Sequence, residues 1–177
     1  MAAPLKPMRR IGGNTGKQRK GARGYEHKMK VVSLVERNGE KRSFHLANVT
    51  AATVRPILTK HIAAKARLMT DESGVYKAVG KEFAEHSSVN HGKGEYSRGD
   101  VTTNTVESSF AILKRGLYGT FHHVSEAHLQ RYANEFDFKW NYREKLGYDD
   151  KQRTDVALLG IAGKRLTYRG PTSQAVE

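Results

Sequence analysis

The sequence predicts an α/β fold, and three observations support this. A short run rich in β-branched residues, 28–35, and a second run, 42–49, flank the pair Asn38-Gly39, a pattern typical of a β-hairpin. A short apolar run ends at Asp71, which is typical of a buried strand. Further along the chain, apolar residues recur every three or four positions, the spacing of an amphipathic helix. The 177 residues suffice for one domain with a core of its own.

Composition excludes several classes of protein. The chain has no cysteine, which rules out disulfide scaffolds, Cys-ligated zinc or iron–sulfur sites and thiol nucleophiles. Its 31 Lys and Arg against 18 Asp and Glu give a net charge of +13, so polyanions are its natural partners. The apolar stretch 156–162 is far shorter than the ~20 residues that span a bilayer. We expect a cytoplasmic protein without a membrane partner.

The basic excess is concentrated at the N-terminus. Residues 1–30 hold nine Lys or Arg and one acid, Glu26, and five glycines interrupt this stretch. Residues 1–27 are therefore predicted to form a flexible basic arm that contacts nucleic-acid phosphates. A solvated tail without a role is the alternative. The candidate DNA contacts in this arm are Lys17, Arg19, Lys20 and Arg23.

The first predicted elements belong to a single domain over residues 28–150. The hairpin joins residues 28–35 to residues 42–49, and Asn38-Gly39 supplies the positive φ angles of a tight two-residue turn. A helix follows, with Thr50 or Thr53 as its N-cap and with Pro56 tolerable only near its first turn. Two strands are then predicted, at 67–70 and 85–90.

Two helices and a tail complete the prediction. The first helix starts at Thr103 or Asn104 and ends near Gly116, and the second opens near Ser125. Their apolar stripes are Val106, Phe110, Leu113 and Leu117 on the first, and Leu129, Tyr132, Phe136 and Trp140 on the second. Residues 151–177 are predicted to be a C-terminal tail with one short helix around Leu158, Leu159 and Ile161.

Two acids are candidates for phosphate chemistry because of their positions. Asp71 stands at the carboxyl end of a predicted strand, and Glu107 stands in the first turn of a predicted helix. Asn104 and Lys114 share the polar face of that helix with Glu107. Carboxylates in such positions can bind Mg²⁺ together with phosphate oxygens, and a lysine can hold a phosphate. The alternative makes Glu107 a helix-dipole acid and Lys114 a solvated surface residue.

The long run from Val89 to Arg143 resembles the catalytic core of bacterial insertion-sequence transposases of the ISXO-like kind. Shorter segments extend the resemblance over nearly the whole chain: Ile11-Gly12-Gly13, Thr70-Asp71-Glu72 and residues 163–169. The resemblance implies a ribonuclease-H-like fold, a mixed sheet flanked by helices. In that fold an Asp from the first strand, an Asp from the fourth and a Glu on a later helix converge.

The resemblance also implies roles for particular residues. Asp71 and Glu107 match the second and third acids, which bind Mg²⁺ in a two-ion site, and Lys114 matches the basic residue two turns after the Glu. Lys114 and Arg115 are the expected DNA contacts on this helix. The implied activity is metal-dependent cleavage and transfer of DNA strands, with element ends and target DNA as partners and a homo-oligomer in the transposition complex.

The first acid of the family pattern is missing from this chain. An Asp-Glu pair would fall at Pro7 and Met8, and no acid precedes Glu26. Proline has no side-chain ligand and no backbone donor for a central strand. The pattern, without the zinc ribbon that many members carry, is typical of a truncated or frame-shifted copy. We therefore expect a catalytically silent or severely impaired domain.

Other functions remain open at this stage. A non-catalytic basic protein, a remnant or a regulator that competes for element ends, fits the composition equally well, and the missing acid favours it. A ribosomal-type RNA binder would explain the charge but not the spacing of Asp71, Glu107 and Lys114. The histidine pairs His86 with His91 and His122 with His123, together with His128, suggest zinc, although structural or phosphate-contacting roles suit them better.

Overall fold

A computed structural model describes residues 2–3 and 29–164 of the chain, and it confirms the α/β prediction. The strands are β1 (Ala2–Ala3), β2 (Lys30–Val35), β3 (Lys41–Leu46), β4 (Arg67–Asp71), β5 (Glu85–Val89), β6 (Ser97–Arg98) and β7 (Val101–Thr102). The α-helices are α1 (Ala51–His61), α2 (Val75–Val79), α3 (Asn104–Gly116), α4 (Leu129–Asn141) and α5 (Asp150–Leu159). The described residues belong to two compact units, divided between Asn141 and Tyr142.

The strands form small sheets that meet at β1. Strand β2 pairs antiparallel with both β1 and β3, whereas β4 and β5 pair in parallel. Strand β1 also contacts β4, so the strands follow the order β3-β2-β1-β4-β5. The resemblance implies one continuous mixed sheet, and within the described residues, which include only two of β1, the strands form separately hydrogen-bonded sheets. The small β6–β7 hairpin lies apart from this row and contacts β4 and β5.

The predicted hairpin is present, but its turn is longer than predicted. Strand β2 ends at Val35 and β3 begins at Lys41, and the Glu36 N–H donates to the Glu40 carbonyl at 2.8 Å. The Gly39 N–H then donates to the Glu36 carbonyl at 3.1 Å. Of the Asn38-Gly39 pair only Asn38 has a positive φ, 59°. A two-residue type I′ turn needs positive φ at both positions, so this turn takes a longer form.

Helix α1 begins at the predicted cap but contains its proline later than expected. Thr50 is the N-cap, and its hydroxyl accepts from the Thr53 N–H in a capping box. Pro56 is the sixth residue of the helix, beyond the first turn where sequence reasoning placed it. Pro56 and Ala52 are both exposed, so the Ala52 carbonyl, which has no Pro56 N–H to bond, faces water.

The alternating side chains of β2 supply two cores, one on each face of the strand. Val31 and Val35 pack with α3 and α4, whereas Val32 and Leu34 pack with α1, β4 and α2. The predicted stripes of α3 and α4 are confirmed as core. The buried members of the first core from these helices are Val106, Phe110, Leu113, Leu129 and Phe136, with Tyr132 and Trp140 packed partly against them. The first unit is therefore layered, with helices on both faces of the central strands.

Helices α3 and α4 approach closely at Gly116. A Cβ at this position would overlap the ring of Phe136, which lies in the core between the two helices. We expect Gly116→Ala to destabilise the fold by about 1–3 kcal/mol through overpacking, despite the better helix propensity of alanine. Gly119 is the control, since a Cβ there meets nothing within 4 Å. Urea denaturation should show Gly119→Ala unchanged or slightly stabilised, and equal effects at both glycines would contradict the packing explanation.

The second unit contains the short helix predicted near the C-terminus. Helix α5 begins after Asp149, whose carboxylate accepts from the Gln152 N–H at 2.7 Å in a capping box. The helix lies earlier than the apolar residues that predicted it, and Leu158 and Leu159 at its end are exposed. Within the described part of the chain, no helix has both the length and the apolar character required to cross a bilayer.

Candidate active site

Asp71 stands at the carboxyl end of β4, as predicted. Because β4 and β5 are parallel and Asp71 pairs with Val89, both strands end at the same edge. The residues that follow β5, Asn90 and His91, therefore leave the sheet beside Asp71 and Glu72. Ligand sites in open sheets form at this kind of edge, just beyond the carboxyl ends of parallel strands.

The Asp71 carboxylate is held in a partly buried position. Its Oδ1 accepts from the Ser73 N–H at 3.1 Å. Burial raises the pKa of Asp71 above its usual value, and the neighbouring Glu72 carboxylate adds to this, while the Ser73 hydrogen bond and the His91 ring oppose it. A nearby cation would relieve the cost of keeping this carboxylate charged.

Glu72 fastens the loop after β5 to the end of β4. Its carboxylate accepts from the backbone N–H groups of His91 at 3.1 Å and Gly92 at 3.2 Å. Hydrogen bonds from backbone N–H groups lower the pKa of Glu72, so this acid remains charged in its structural role. These hydrogen bonds hold the main chain of His91 in place beside Asp71.

Glu107 lies in the first turn of α3, as predicted, and its carboxylate is oriented by two neighbours. The Thr103 hydroxyl donates to Glu107 Oε1 at 3.2 Å, and His91 Nδ1 lies 3.5 Å from the same oxygen. His91 Nε2 is 3.0 Å from the Thr103 hydroxyl, so each of the three side chains contacts the other two. Thr103 is fully buried, and its hydroxyl makes these contacts instead of capping the helix.

His91 joins the two predicted acids. Its ring contacts Glu107, and its charge is one of the influences on the pKa of Asp71. Asn104 is the exposed first residue of α3, where its N–H donates to the Thr102 hydroxyl at 3.1 Å. Lys114 is partly buried on the same helix two turns beyond Glu107, and Arg115 beside it is exposed. Lys17, Arg19, Lys20 and Arg23 lie outside the described residues.

Asp71 and Glu107 are the acids of this edge that could hold a metal ion. Asp71 and Glu107 offer two carboxylates, and Mg²⁺ takes its remaining ligands from water and phosphate oxygens. In the described part of the chain, no group of three His, Asp or Glu side chains could hold a metal ion. The histidines suggested as zinc pairs have other contacts, since His86 Nε2 lies 2.9 Å from the Thr70 hydroxyl and His122 Nδ1 lies 3.1 Å from the Tyr118 carbonyl.

Comparison with protein families gives a match over most of the chain. The model of the ISXO2-like transposase domain matches residues 3–141, a range that includes β4, the loop after β5 and α3. The chain belongs to this family. The resemblance found in the sequence is thus confirmed, and the site lies in a transposase domain. Comparisons with curated proteins and with solved structures gave no match.

Sequence reasoning placed both acids of this transposase domain but missed the two residues that orient Glu107. Thr103 was considered only as a helix cap, and His91 only as half of a zinc pair or as a structural or phosphate-contacting residue. A signal for His91 exists in the sequence, because it directly follows the predicted strand 85–90, much as Glu72 closely follows the predicted strand 67–70. Parallel pairing of the two strands, which brings these residues together, is not evident from the sequence.

The pKa of Asp71 leads to a stability prediction. Because its pKa is raised, folded Asp71 holds a proton more tightly than unfolded Asp71, so stability falls as pH rises from 3.8 through the raised value. Asp71→Asn should remove this fall and stabilise the metal-free fold at pH 7, by at most about 1 kcal/mol because the carboxyl is partly exposed.

Urea denaturation at pH 4 and pH 7 in EDTA tests this expectation. Glu72→Gln is the matched control with the opposite sign, because the lowered pKa of Glu72 contributes stability that is present at pH 7 and lost as pH falls. Destabilisation of Asp71→Asn at pH 7 would contradict the expectation.

Proposed function

We propose that this transposase domain binds DNA and one divalent ion at Asp71 and Glu107, and that its cleavage of DNA strands is severely impaired. The observation that carries the proposal is the position of His91, whose ring contacts the Glu107 carboxylate and whose N–H donates to Glu72, the neighbour of Asp71. It supports the assignment of a strand-end acid and a helix acid from distant parts of the chain to one site. Such convergence is what metal-assisted phosphoryl chemistry requires.

Each residue of the site has a role in this proposal. Asp71 and Glu107 hold the ion, and Thr103 and His91 fix the orientation of the Glu107 carboxylate. Lys114 binds a DNA phosphate as a point charge, and Arg115 and Asn104 contact the DNA backbone nearby. When bound, Mg²⁺ would polarise a phosphate oxygen and activate water or a 3′-hydroxyl as the nucleophile.

Impairment follows from the residue at position 7. The family pattern recognised in the sequence carries an Asp there, and this chain carries Pro7, which has no ligand atom in its side chain. The missing acid is the first of the three in that pattern. With two carboxylates the domain lacks the charge to hold two ions about 4 Å apart.

Binding of Mn²⁺, followed by electron paramagnetic resonance, tests the ion site independently of activity. We expect one Mn²⁺ per chain, with affinity reduced at least about tenfold in Asp71→Asn and in Glu107→Gln, because each removes one of two charged ligands. Glu135→Gln, whose acid pairs with Lys139 on α4, is the matched control and should bind like the unmodified chain. Binding that is unaffected by both site substitutions would disprove the assignment.

A second candidate function is DNA binding without chemistry, as a regulator that competes for element ends. The observation that favours it is the pair Pro7 and Met8 at the acidic positions, together with the charge of +13. In this case affinity comes from phosphate contacts of the basic N-terminal segment, and it falls steeply with salt because bound counterions are released.

Replacement of Lys17, Arg19, Lys20 and Arg23 by serine tests this contribution and leaves β1 in place. If all four contact phosphates, the slope of log K against log salt on random duplex should fall by roughly 3–4. The matched control replaces Lys60, Lys65, Lys77 and Lys81, which are exposed and lie outside α3 and the N-terminal segment. Equal slopes of log K against log salt for the two sets of variants would show that the N-terminal segment is not part of the DNA-binding surface.

A further inference from the structure

Tyr96 is an exposed aromatic residue beside the candidate active site. Its side chain is 60% exposed, the largest value among the bulky apolar residues described in the first unit. Its ring lies against His91, with 5.2 Å between the ring centroids and an interplanar angle of 68°. Because His91 contacts Glu107, Tyr96 stands one side chain away from the proposed ion site.

The loop that carries Tyr96 is held in place by its own hydrogen bonds. Asn90 and Glu95 close it, since the Glu95 N–H donates to the Asn90 carbonyl at 2.9 Å and the Asn90 N–H donates to Glu95 Oε2 at 3.1 Å. Within it the Asn90 side chain accepts from the Lys93 N–H at 3.1 Å, and Gly94 takes a φ of 76°. Tyr96 follows this closed loop directly, so its ring is presented from an ordered backbone.

The surroundings of Tyr96 suit a nucleic acid strand. Lys93 and Arg98 flank it and are exposed, and Arg98 is anchored by a hydrogen bond from its guanidinium to the Ser88 carbonyl at 3.0 Å. A strand whose phosphate reaches Asp71 and Glu107 would pass these cations and bring a neighbouring base to the Tyr96 ring. Bases stack on exposed tyrosine rings with little sequence preference when they are unpaired.

We propose that Tyr96 is a base-stacking residue that receives an unpaired DNA base next to the phosphate at the Asp71–Glu107 site. This rests on the proposed function, because DNA must reach the two acids. A base within a duplex is covered on both faces by its neighbours, so only an unpaired or frayed nucleotide can use the ring. Tyr96 therefore gives the domain a preference for duplexes with a single-stranded end over blunt duplexes.

The experiment compares a random-sequence duplex carrying a short 3′ overhang with a blunt duplex of the same sequence. The overhang contains 2-aminopurine, whose fluorescence is quenched by stacking, and Ca²⁺ replaces Mg²⁺, so that a phosphate can bind at the two acids while stacking is read out independently of cleavage. We expect Tyr96→Ala to bind the overhang DNA about tenfold more weakly, to bind the blunt duplex as before, and to abolish the quenching. Tyr96→Phe should keep both affinity and quenching, because it keeps the ring.

Tyr118→Ala is the matched control, since Tyr118 is a second exposed tyrosine, 48% exposed, and it follows the C-terminal end of α3, whereas Glu107 lies in the first turn of that helix. Equal losses for Tyr118→Ala and Tyr96→Ala, equal losses on overhang and blunt DNA, or no loss for Tyr96→Ala would overturn the stacking proposal. If the unmodified chain binds neither DNA, the proposed function and the stacking proposal both fail. Overhang binding with unchanged behaviour of Tyr96→Ala counts against stacking alone.

Discussion

Asp137→Ala should destabilise this transposase domain by about 3–5 kcal/mol, a large part of the stability of an ordinary domain. The Asp137 carboxylate on α4 is buried and accepts from the Ser43 N–H at 2.5 Å and from the Ser43 hydroxyl at 2.7 Å. The Lys41 ammonium, which is almost fully buried, lies 3.3 Å from the same carboxylate. Alanine would leave these donors and a buried cation without their acceptor.

The effect is large because α4 takes the place of a neighbouring strand along the outer edge of β3. Asn141 accepts from the Lys41 N–H at 2.6 Å and donates to the Lys41 carbonyl at 3.0 Å. Gln130 donates to the Ser43 carbonyl at 2.8 Å and accepts from the His45 N–H at 2.6 Å. Polar side chains of one helix thus satisfy the backbone groups of an edge strand that would otherwise be open to other chains.

Urea denaturation of Asp137→Ala, Asp137→Asn and Arg131→Ala measures this contribution. Asn keeps one acceptor oxygen but not the charge, so it should lose less stability than Ala. Arg131 is exposed on the same helix, and its replacement should change stability by less than about 0.5 kcal/mol. A loss for Asp137→Ala no larger than that for Arg131→Ala would show that the buried pair contributes nothing net.

This helix illustrates how far sequence reasoning reaches. The apolar stripe of α4, Leu129 with Phe136 and its neighbours, is evident from its spacing and was confirmed as core. The same reasoning assigns no role to Asp137 or Asn141. Their partners on β3 lie 94 and 100 positions away in the sequence, and no local pattern connects a helix carboxylate with the edge of a distant strand.

The candidate site shows the same contrast between features with a local sequence signal and features that depend on tertiary structure. Asp71 and Glu107 were predicted because strand ends and helix starts are marked by local signals, a stop after an apolar run and the beginning of helical spacing. The link between them through His91 depends on the parallel pairing of β4 with β5, a tertiary feature. The predictions for the turn after β2 and for the position of Pro56 were wrong for a local reason. In both cases several backbone solutions suit the same residues, and solvent exposure permits the one that is less common.

Restoring the acidic pair is the change with the largest expected effect on activity. We expect the double variant Pro7→Asp with Met8→Glu to cleave DNA at least about a hundredfold faster than the unmodified chain in the presence of Mg²⁺, because a third carboxylate lets the site hold a second ion. The unmodified chain should cleave at or near background. Glu107→Gln should return the restored variant to background, since it removes one of the carboxylates that hold the ions.

Two further variants separate charge from backbone effects in this assay. Pro7→Asn with Met8→Gln also restores the backbone donor at position 7 and has nearly the same shape as the acidic pair, but it carries no charge. It should remain at background, which would assign the gain to the carboxylates. Robust cleavage by the unmodified chain that disappears in Glu107→Gln would contradict the proposed impairment, and another acid, such as Glu26 or Glu36, would then have to complete the site. An uncharged variant that is as active as the acidic one would show that the proline ring, rather than a missing ligand, limits the domain.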